Sequence, residues 1–587
     1  MNNYYTTERN AQILISVLKA HNINKIIASP GTTNICFVAS LQQDPFFTIY
    51  SAPDERSAGY MACGLSAESG EPVVISCTGA TASRNYMPAL TEAYYRKLPI
   101  LAVTSSRRNS NIGHNFDQVT DRTQIPRDVA KMSIQLPVVL DKNNEWANII
   151  AANKAVLELK HHGCGPVHIN LETEYSRIYD VKELPETRII RRFSYTDELP
   201  FLNTKQTVIF VGAHEKWSDN LTHSVDEFCR KFNGIVVCDQ LSNYKGEYRA
   251  FANLNCSQRD YNSVAIKADV LIHIGDVTAS VYSVSCKEVW RVNPDGEIRD
   301  TFHQLTKVFE MTEEDFFVYY NKTKENVVPM SFWEEYQKET ETLRKELEEV
   351  TIPKLPFSNA WIASQTAGKL PSNSVLHLGI QNSLRFWNFF DTPSSVLGYC
   401  NTGGFGIDGS LSTVIGASLC NRDKLYYVVL GDLAFFYDFN SIGNRHVGNN
   451  IRILLVNNGR GTEFRLTGNP GAMFGDEADK YIAAAGHYGH KSRDLVKHYA
   501  EDLGFHYLSA TTKEEYFDVL STFLSEEINF PILLEVFTDS LNEDTALTEL
   551  KTIITTPLKT VIRETKDLTR KIIGEKGTLL ISNMMGK

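Results

Sequence analysis

Residues 426–464 read YYVVLGDLAFFYDFNSIGNRHVGNNIRILLVNNGRGTEF, and this stretch limits the possible folds more tightly than the rest of the chain. Residues 426–430 are short, apolar and β-branched, as in a strand buried on both faces of a parallel sheet. Gly431-Asp432 stops the run. Phe435, Phe439 and Ile442 then recur at helical spacing, and residues 451–456 form a second buried run, so the stretch predicts one βαβ unit. Its polar residues fall at the two strand ends, Asp432 after the first strand and Asn457-Asn458 after the second, where open α/β sheets bind ligands. A carboxylate and an amide oxygen there are hard ligands suited to Mg²⁺. The helix that follows Gly431-Asp432 offers free backbone N–H groups to a phosphate. An ordinary βαβ unit with a turn Asp and a turn Asn is the plainer reading.

A Gly-Asp pair followed by Asn-Asn, with 26 positions between Asp432 and Asn458, resembles the diphosphate-and-magnesium motif of thiamine diphosphate (ThDP) enzymes. A second stretch, residues 51–107, bears on the same chemistry: SAPDERSAGYMACGLSAESGEPVVISCTGATASRNYMPALTEAYYRKLPILAVTSSR. A ThDP enzyme needs a carboxyl group against N1′ of the aminopyrimidine, to favour the imino tautomer whose 4′-nitrogen takes the thiazolium C2 proton. Glu55, in Asp-Glu-Arg-Ser-Ala-Gly at a predicted helix start, stands where the family's activating glutamate is found. A glutamate there also serves simply as a charge at a helix N-terminus.

The segments DERSAGYMACGLSAESGEPV and CTGATASRNYMPALTEAYYRKLPILAVTSSR, with FGIDGSLSTVIGASL, VVLGDLAFFYDFN and VNNGRGTEF, are most similar to one ThDP family. That family is the menaquinone-biosynthesis synthase that makes 2-succinyl-5-enolpyruvyl-6-hydroxy-3-cyclohexene-1-carboxylate. The resemblance implies an α/β protein of three doubly wound parallel-sheet domains, homodimeric or homotetrameric, with active sites at the subunit interface. It also implies ThDP and Mg²⁺ as cofactors. Asp432 and Asn458 would hold the metal by side chains and Arg460 by its backbone oxygen. Pro30, Thr78, Gly79, Asn382, Ser383, Gly406, Ile407, Gly431, Leu433, Ala434 and Phe464 would line the cofactor, although Ile407 suits core packing equally. Glu55 would be the catalytic residue.

In chain order, a helical pattern covers residues 7–20, a strand covers 25–28, and the loop Ser29-Pro30-Gly31-Thr32-Thr33-Asn34 should lie over the cofactor. Residues 73–77 and 100–104 repeat the strand spacing of the 426–456 unit, so the first and last thirds read as two copies of one topology. The expected domains are 1–183 (pyrimidine-binding), 184–352 (middle, with linkers) and 353–556 (diphosphate and Mg²⁺), followed by a tail at 557–587. Residues 183–203 read as a linker, and residues 334–350 as a solvated helix rich in Glu and Lys. No GxGxxG opens a helix in the middle third, so a dinucleotide site there is unsupported.

A net charge of −11, from 59 basic and 70 acidic residues, removes the electrostatic reason to expect nucleic acid. No run is long enough for a membrane span, and a cytoplasmic location is expected. Ten cysteines without CxxC spacing suit reduced, buried thiols. Gly486-His487-Tyr488-Gly489-His490 reads as a loop bordering the substrate pocket, with metal ligation the lesser alternative.

The resemblance implies decarboxylation of a 2-oxo acid donor and transfer of the acyl anion equivalent to an acceptor. The alternatives are a simple decarboxylase, the menaquinone-pathway synthase itself acting on 2-oxoglutarate and isochorismate, and an inactive scaffold. The last is disfavoured because Glu55, Asp432 and Asn458 are all present. Arg107 matches an arginine that touches substrate in the synthases. Elsewhere the chain departs from the family: Thr33, beside Thr32, and Thr402 stand where the family has arginines, and a third falls near Trp387, where Arg385 can substitute. Glu463 stands where the family is apolar, and His114, Asn115 and Gln118 make the facing loop polar. Losing a charge-assisted partner for a buried carboxylate costs roughly 2 to 5 kcal/mol. The expectation is therefore a smaller donor such as pyruvate and inefficient synthesis of the menaquinone intermediate.

Overall fold

The computed structural model describes residues 4–280, 284–323, 331–487 and 492–554; the tail at 557–587 lies outside them. The chain forms two compact units, one of residues 1–199 with 294–310, the other of residues 200–293 with 311–587.

Six parallel strands organise the first unit: β1 (Lys25–Ala28), β2 (Thr48–Ser51), β3 (Val73–Thr78), β4 (Ile100–Ser106), β5 (Met132–Leu136) and β6 (Val167–Glu172), in the order β2-β1-β3-β4-β6-β5. Successive side chains point to opposite faces, so β3 and β4 supply two cores. Val74, Leu101 and Val103 pack under the helices Arg9–Ala20 and Lys142–Glu158. Val73, Ile75, Ile100 and Ala102 pack under Glu55–Ser69 and Met87–Arg96. The small residues after Glu55 allow the expected close approach. A Cβ on Gly59 would lie 2.6 Å from that of Ala89 in the neighbouring helix.

The expected linker contains a strand, β7 (Arg191–Ser194). Its mixed charge hides it in the sequence, since an edge strand needs few apolar residues. The second unit begins with β8 (Thr207–Val211), β9 (Gly234–Cys238), β10 (Arg249–Phe251), β11 (Val270–Ile274) and β12 (Glu288–Val292), parallel in the order β10-β9-β8-β11-β12. The chain then returns to the first unit with β13 (Leu305–Glu310), which pairs in parallel with β7. The helix expected at 334–350 is Ser331–Glu346, continued by a wider turn at Leu347–Thr351. It is only partly solvated: Phe332, Tyr336 and Leu343 are buried. One of its charges is structural, because Glu339 accepts hydrogen bonds from Asn255, Tyr261, Ser263 and the Val264 N–H.

The last six strands are β14 (Val375–Leu378), β15 (Leu397–Tyr399), β16 (Tyr426–Gly431), β17 (Ile451–Asn457), β18 (His506–Ala510) and β19 (Ile532–Phe537), in the order β15-β14-β16-β17-β19-β18. Counted within its own sheet, this is the strand order of β1–β6, so the two outer sheets share one topology. Tyr427, Val429, Leu454 and Val456 enter one core; Tyr426, Val428, Leu430 and Leu455 enter the other. Five of the ten cysteines are buried, while Cys420 is exposed. No helix among the described residues is long and apolar enough to cross a membrane.

Two buried histidines give the fold a pH signature. His168, bonded to Thr104 and Ser133, is pushed down to about 3 by burial, and His377 to about 4. Each is neutral when folded and protonates more readily when unfolded, so its contribution to stability is present above about pH 6.5 and lost on acidification. Buried Glu543, raised to about 7 by desolvation, works in the opposite sense, losing stability as pH rises from about 4.5 to 7. Comparison with a variant isolates one group. Between pH 7 and pH 5, His168→Gln should lose roughly 2 kcal/mol less stability than the parent protein, at about 1.4 kcal/mol per pH unit per proton. Urea unfolding midpoints at the two pH values measure it, and parallel losses would remove His168 from the acid response.

Candidate active site

In the second unit, the chain beyond β16 and β17 concentrates polar groups. The two strands pair with Gly431 opposite Val456, which sets Asp432 beside the residues that leave β17. Asp432 begins the helix Asp432–Asp438 and is 5% exposed. Its carboxylate accepts the Leu433 N–H at 2.9 Å and interacts with the N–H groups of Gly459 and Arg460. The turn after β17 brings those amides round because Gly459 takes φ +76°, a left-handed conformation that glycine adopts without steric cost. Desolvation nevertheless outweighs the amides and pushes Asp432 up to about 7.

The sequence placed Asn457 and Asn458 together at this end, but they divide. Asn457 donates to buried Glu535 at 2.7 Å, while Tyr507 holds the other Glu535 oxygen at 2.8 Å. The Asn458 Oδ1 is buried without a hydrogen-bond partner. A desolvated carboxylate and an orphaned amide oxygen are the donor set that a hard divalent ion satisfies, so these residues fit Mg²⁺. The Arg460 carbonyl accepts the Thr462 N–H at 2.9 Å, and its second lone pair can take a metal. Its guanidinium is tied to Asp479 at 2.7 Å. A cavity of about 210 Å³ opens beside Asp432, lined also by Gly459, His487, Arg493 and Glu535. Residues 488–490 of the predicted pocket loop lie outside the described residues. Larger grooves of about 490 and 760 Å³ run along the helix Ser331–Glu346 and contain none of the motif residues. Size therefore does not mark the site. A side chain on Gly431 would meet nothing within 4 Å, so the space at the start of this helix is open. Ile407 packs against the core at its edge, and Phe464 is 40% exposed.

In the first unit, Glu55 opens its helix behind Asp54, which caps it through the Ser57 N–H at 2.8 Å. The Glu55 carboxylate is thereby freed from capping and accepts instead from Asn85 Nδ2 at 3.1 Å. The loop after β1 presses onto the end of β3. A Cβ on Gly31, which follows Pro30, would lie 1.9 Å from the Thr78 methyl, so the position requires glycine. The Gly79 carbonyl accepts from Arg122, a buried residue that sequence reasoning missed. Arg122 also donates to Asn170 Oδ1 at 2.9 Å and Thr120 Oγ1 at 2.9 Å, clamping the loop after β4 over the strand ends. Nothing in its polar sequence neighbourhood separates it from an exposed arginine.

The predicted substrate residues behave differently. Thr33 is 1% exposed and donates to the Ser105 carbonyl at 2.5 Å; it is a tie between loop and β4, not a free hydroxyl. Thr402 is likewise buried. Arg385 is not a vacant replacement cation, because Glu463 engages it through both oxygens, one at 3.0 Å, and Asn382 Oδ1 accepts from it at 2.6 Å. Arg107 has partners too, Asp117 at 3.0 Å and the Tyr175 hydroxyl at 3.0 Å. Thr32, His114, Asn115 and Gln118 are exposed. Thr32 belongs to the loop after β1, and the other three to the loop after β4.

Two parallel sheets of one topology, with acidic and amide groups beyond their carboxyl ends, make an α/β protein of the class that takes ligands at its strand ends. The family described as "Thiamine pyrophosphate enzyme, N-terminal TPP binding domain" matches residues 9–125. The 2-succinyl-5-enolpyruvyl-6-hydroxy-3-cyclohexene-1-carboxylate synthase of Bacteroides thetaiotaomicron is 33% identical over 569 residues, covering 92% of this chain and 97% of the relative. Those of Bacteroides fragilis and Phocaeicola vulgatus are each 32% identical, over 92% and 93% of this chain and 98% of each relative. The chain belongs to the thiamine diphosphate-dependent enzyme family, and these synthases match it along nearly its whole length.

The metal assignment is testable without turnover. ThDP with Mg²⁺ should raise the thermal midpoint more than either component alone, because a ligand of the folded state stabilises by mass action. Asp432→Asn should abolish most of that increment, and equal stabilisation by ThDP under chelator would refute the assignment.

Proposed function

We propose that the protein is a ThDP- and Mg²⁺-dependent enzyme that decarboxylates a 2-oxo acid and transfers the acyl unit to an acceptor, forming a carbon–carbon bond. The observation that carries this reading is the buried Asp432 carboxylate beside the unpartnered Asn458 Oδ1 at adjacent parallel strand ends. ThDP, when bound, supplies the electron sink for decarboxylation. The Asp432 and Asn458 side chains and the Arg460 carbonyl would hold the metal, while the start of the helix at Leu433 and Ala434 would face the diphosphate, the Leu433 N–H being already given to Asp432. Glu55 would hold the proton against the pyrimidine N1′ when ThDP is bound, and Asn85 keeps its carboxylate oriented. Family resemblance supports a homodimer or homotetramer with shared active sites. In keeping with that, Tyr60 and Met61, on the helix that Glu55 opens, are 48% and 46% exposed.

The donor is where this chain parts from its relatives. Thr33 and Thr402 are neutral and buried, and Arg385 is already neutralised by Glu463. A second carboxylate on the donor would compete with Glu463 for that guanidinium, which favours a monocarboxylic donor such as pyruvate. Identity of 32 and 33% over 92% of the chain to proteins named as that synthase supports the other reading better, in which the enzyme is itself the synthase using 2-oxoglutarate and isochorismate. The simple decarboxylase has no such support.

Three measurements test these assignments. Glu55→Gln should bind ThDP within about an order of magnitude of the parent yet slow deuterium exchange at C2 by about 10²-fold or more. Exchange at the parent rate would remove the role given to Glu55. Steady-state assays of pyruvate and of 2-oxoglutarate with isochorismate separate the two donor readings. Turnover around 1 per second or more with the latter pair would establish the synthase. Glu463→Leu should free Arg385 and shift kcat/KM toward 2-oxoglutarate relative to pyruvate by about tenfold or more. An unchanged ratio would show that Arg385 does not face the donor.

A further inference from the structure

The helix Lys142–Glu158 runs into the turn Leu159-Lys160-His161-His162-Gly163. His162 takes φ +42° there and Gly163 φ +77°. Positive φ is uncommon for histidine, and here it turns two successive imidazoles to one side, stacked with centroids 3.7 Å apart. Facing them is Glu310, the last residue of β13 and part of the same unit. One Glu310 oxygen lies 2.9 Å from His162 Nε2 and the other 3.3 Å from His161 Nε2. One ligand atom from each of the three residues falls within a span of 4.8 Å.

Two further features distinguish this cluster from a chance polar patch. The His161 side chain is 4% exposed, and its Nε2 is a buried nitrogen without a hydrogen-bond partner. Its other nitrogen, Nδ1, is 2.9 Å from Glu158 Oε2, and Lys131 Nζ holds the second Glu158 oxygen at 3.1 Å. A metal-binding histidine characteristically gives its remaining ring N–H to a carboxylate, which fixes the tautomer and aims the free nitrogen at the ion. Glu158 does this for His161. Donors about 2.0 to 2.1 Å from a tetrahedral zinc ion stand ~3.3 Å apart, close to the observed spacings.

We propose that His161, His162 and Glu310 bind one divalent transition-metal ion, with Zn²⁺ the best fit and a fourth position left to water. Two imidazoles and a carboxylate suit a borderline cation; Mg²⁺, which takes oxygen ligands, is disfavoured. His162 is 64% exposed, so the site opens to solvent on that side. The ion ties the turn after the helix to the end of β13, and so pins residues 294–310 to the body of the first unit.

The full-length protein, stripped with chelator and dialysed, should develop the visible absorption of four-coordinate Co²⁺ on titration. The signal should saturate at one ion per chain and disappear when Zn²⁺ is added. His162→Asn keeps a residue that tolerates the left-handed backbone and should fold normally; it should weaken this binding by about 10- to 100-fold or more, and Glu310→Gln should do likewise. Zn²⁺ should raise the thermal midpoint of the parent and not of His162→Asn, while both respond equally to ThDP with Mg²⁺. Equal Co²⁺ binding by the parent and His162→Asn would place the ion elsewhere among the histidines. No saturable binding at micromolar metal would leave only a histidine–carboxylate hydrogen-bonded cluster. Either result overturns the proposal.

Discussion

A carboxylate taken out of water without a cationic side chain beside it is a costly thing to build, and Asp432 is such a group. The β16–β17 pairing sets its depth, the turn at Gly459 turns amides toward it, and Asn458 adds an oxygen with no partner of its own. Those amides offset part of the desolvation and leave the rest, which is why the group sits near 7 instead of near 4. The Mg²⁺ proposed above would supply a counter-charge to this group. Glu535 repeats the theme one layer back, where Asn457 and Tyr507 hold a second buried carboxylate.

The two outer sheets have one strand order but different chemistry at their carboxyl ends. In one, a helix begins with Glu55 and Asn85 supports its carboxylate; in the other, a helix begins with Asp432 and an asparagine follows the neighbouring strand. In the proposed function the same scaffold would offer a proton-handling carboxyl in one copy and a metal-binding one in the other. The helix N-terminus favours a negative charge in both. What differs is burial: Glu55 is half-exposed and Asp432 is enclosed.

On the substrate side, this chain satisfies its cations internally. Arg107 is engaged by Asp117 and Tyr175, Arg385 by Glu463 and Asn382, and Arg122 by carbonyl and amide oxygens. Under the proposed function, a substrate carboxylate would have to displace one of these partners before it gained a guanidinium.

The sequence by itself determined the parallel α/β class, the repetition of one topology in the outer thirds, and the positions of Glu55, Asp432 and Asn458. Each rests on local regularity: buried strands read as apolar runs, a helix start accepts an acidic residue, and strand ends in such sheets carry ligands. Tertiary structure alone decided the rest. It gave Asn457 to Glu535, buried the Thr33 hydroxyl against Ser105, closed Glu463 on Arg385 across 78 positions of sequence, and set Arg122 beneath the Gly79 carbonyl. It also found a strand at Arg191–Ser194 in what reads as linker, and brought His162 to Glu310 across 148 positions, with His161 beside it. A residue's type shows what it can donate or accept, but its partner is set by which strand ends and turns the packed core brings within about 3 Å, and no local pattern carries that distance.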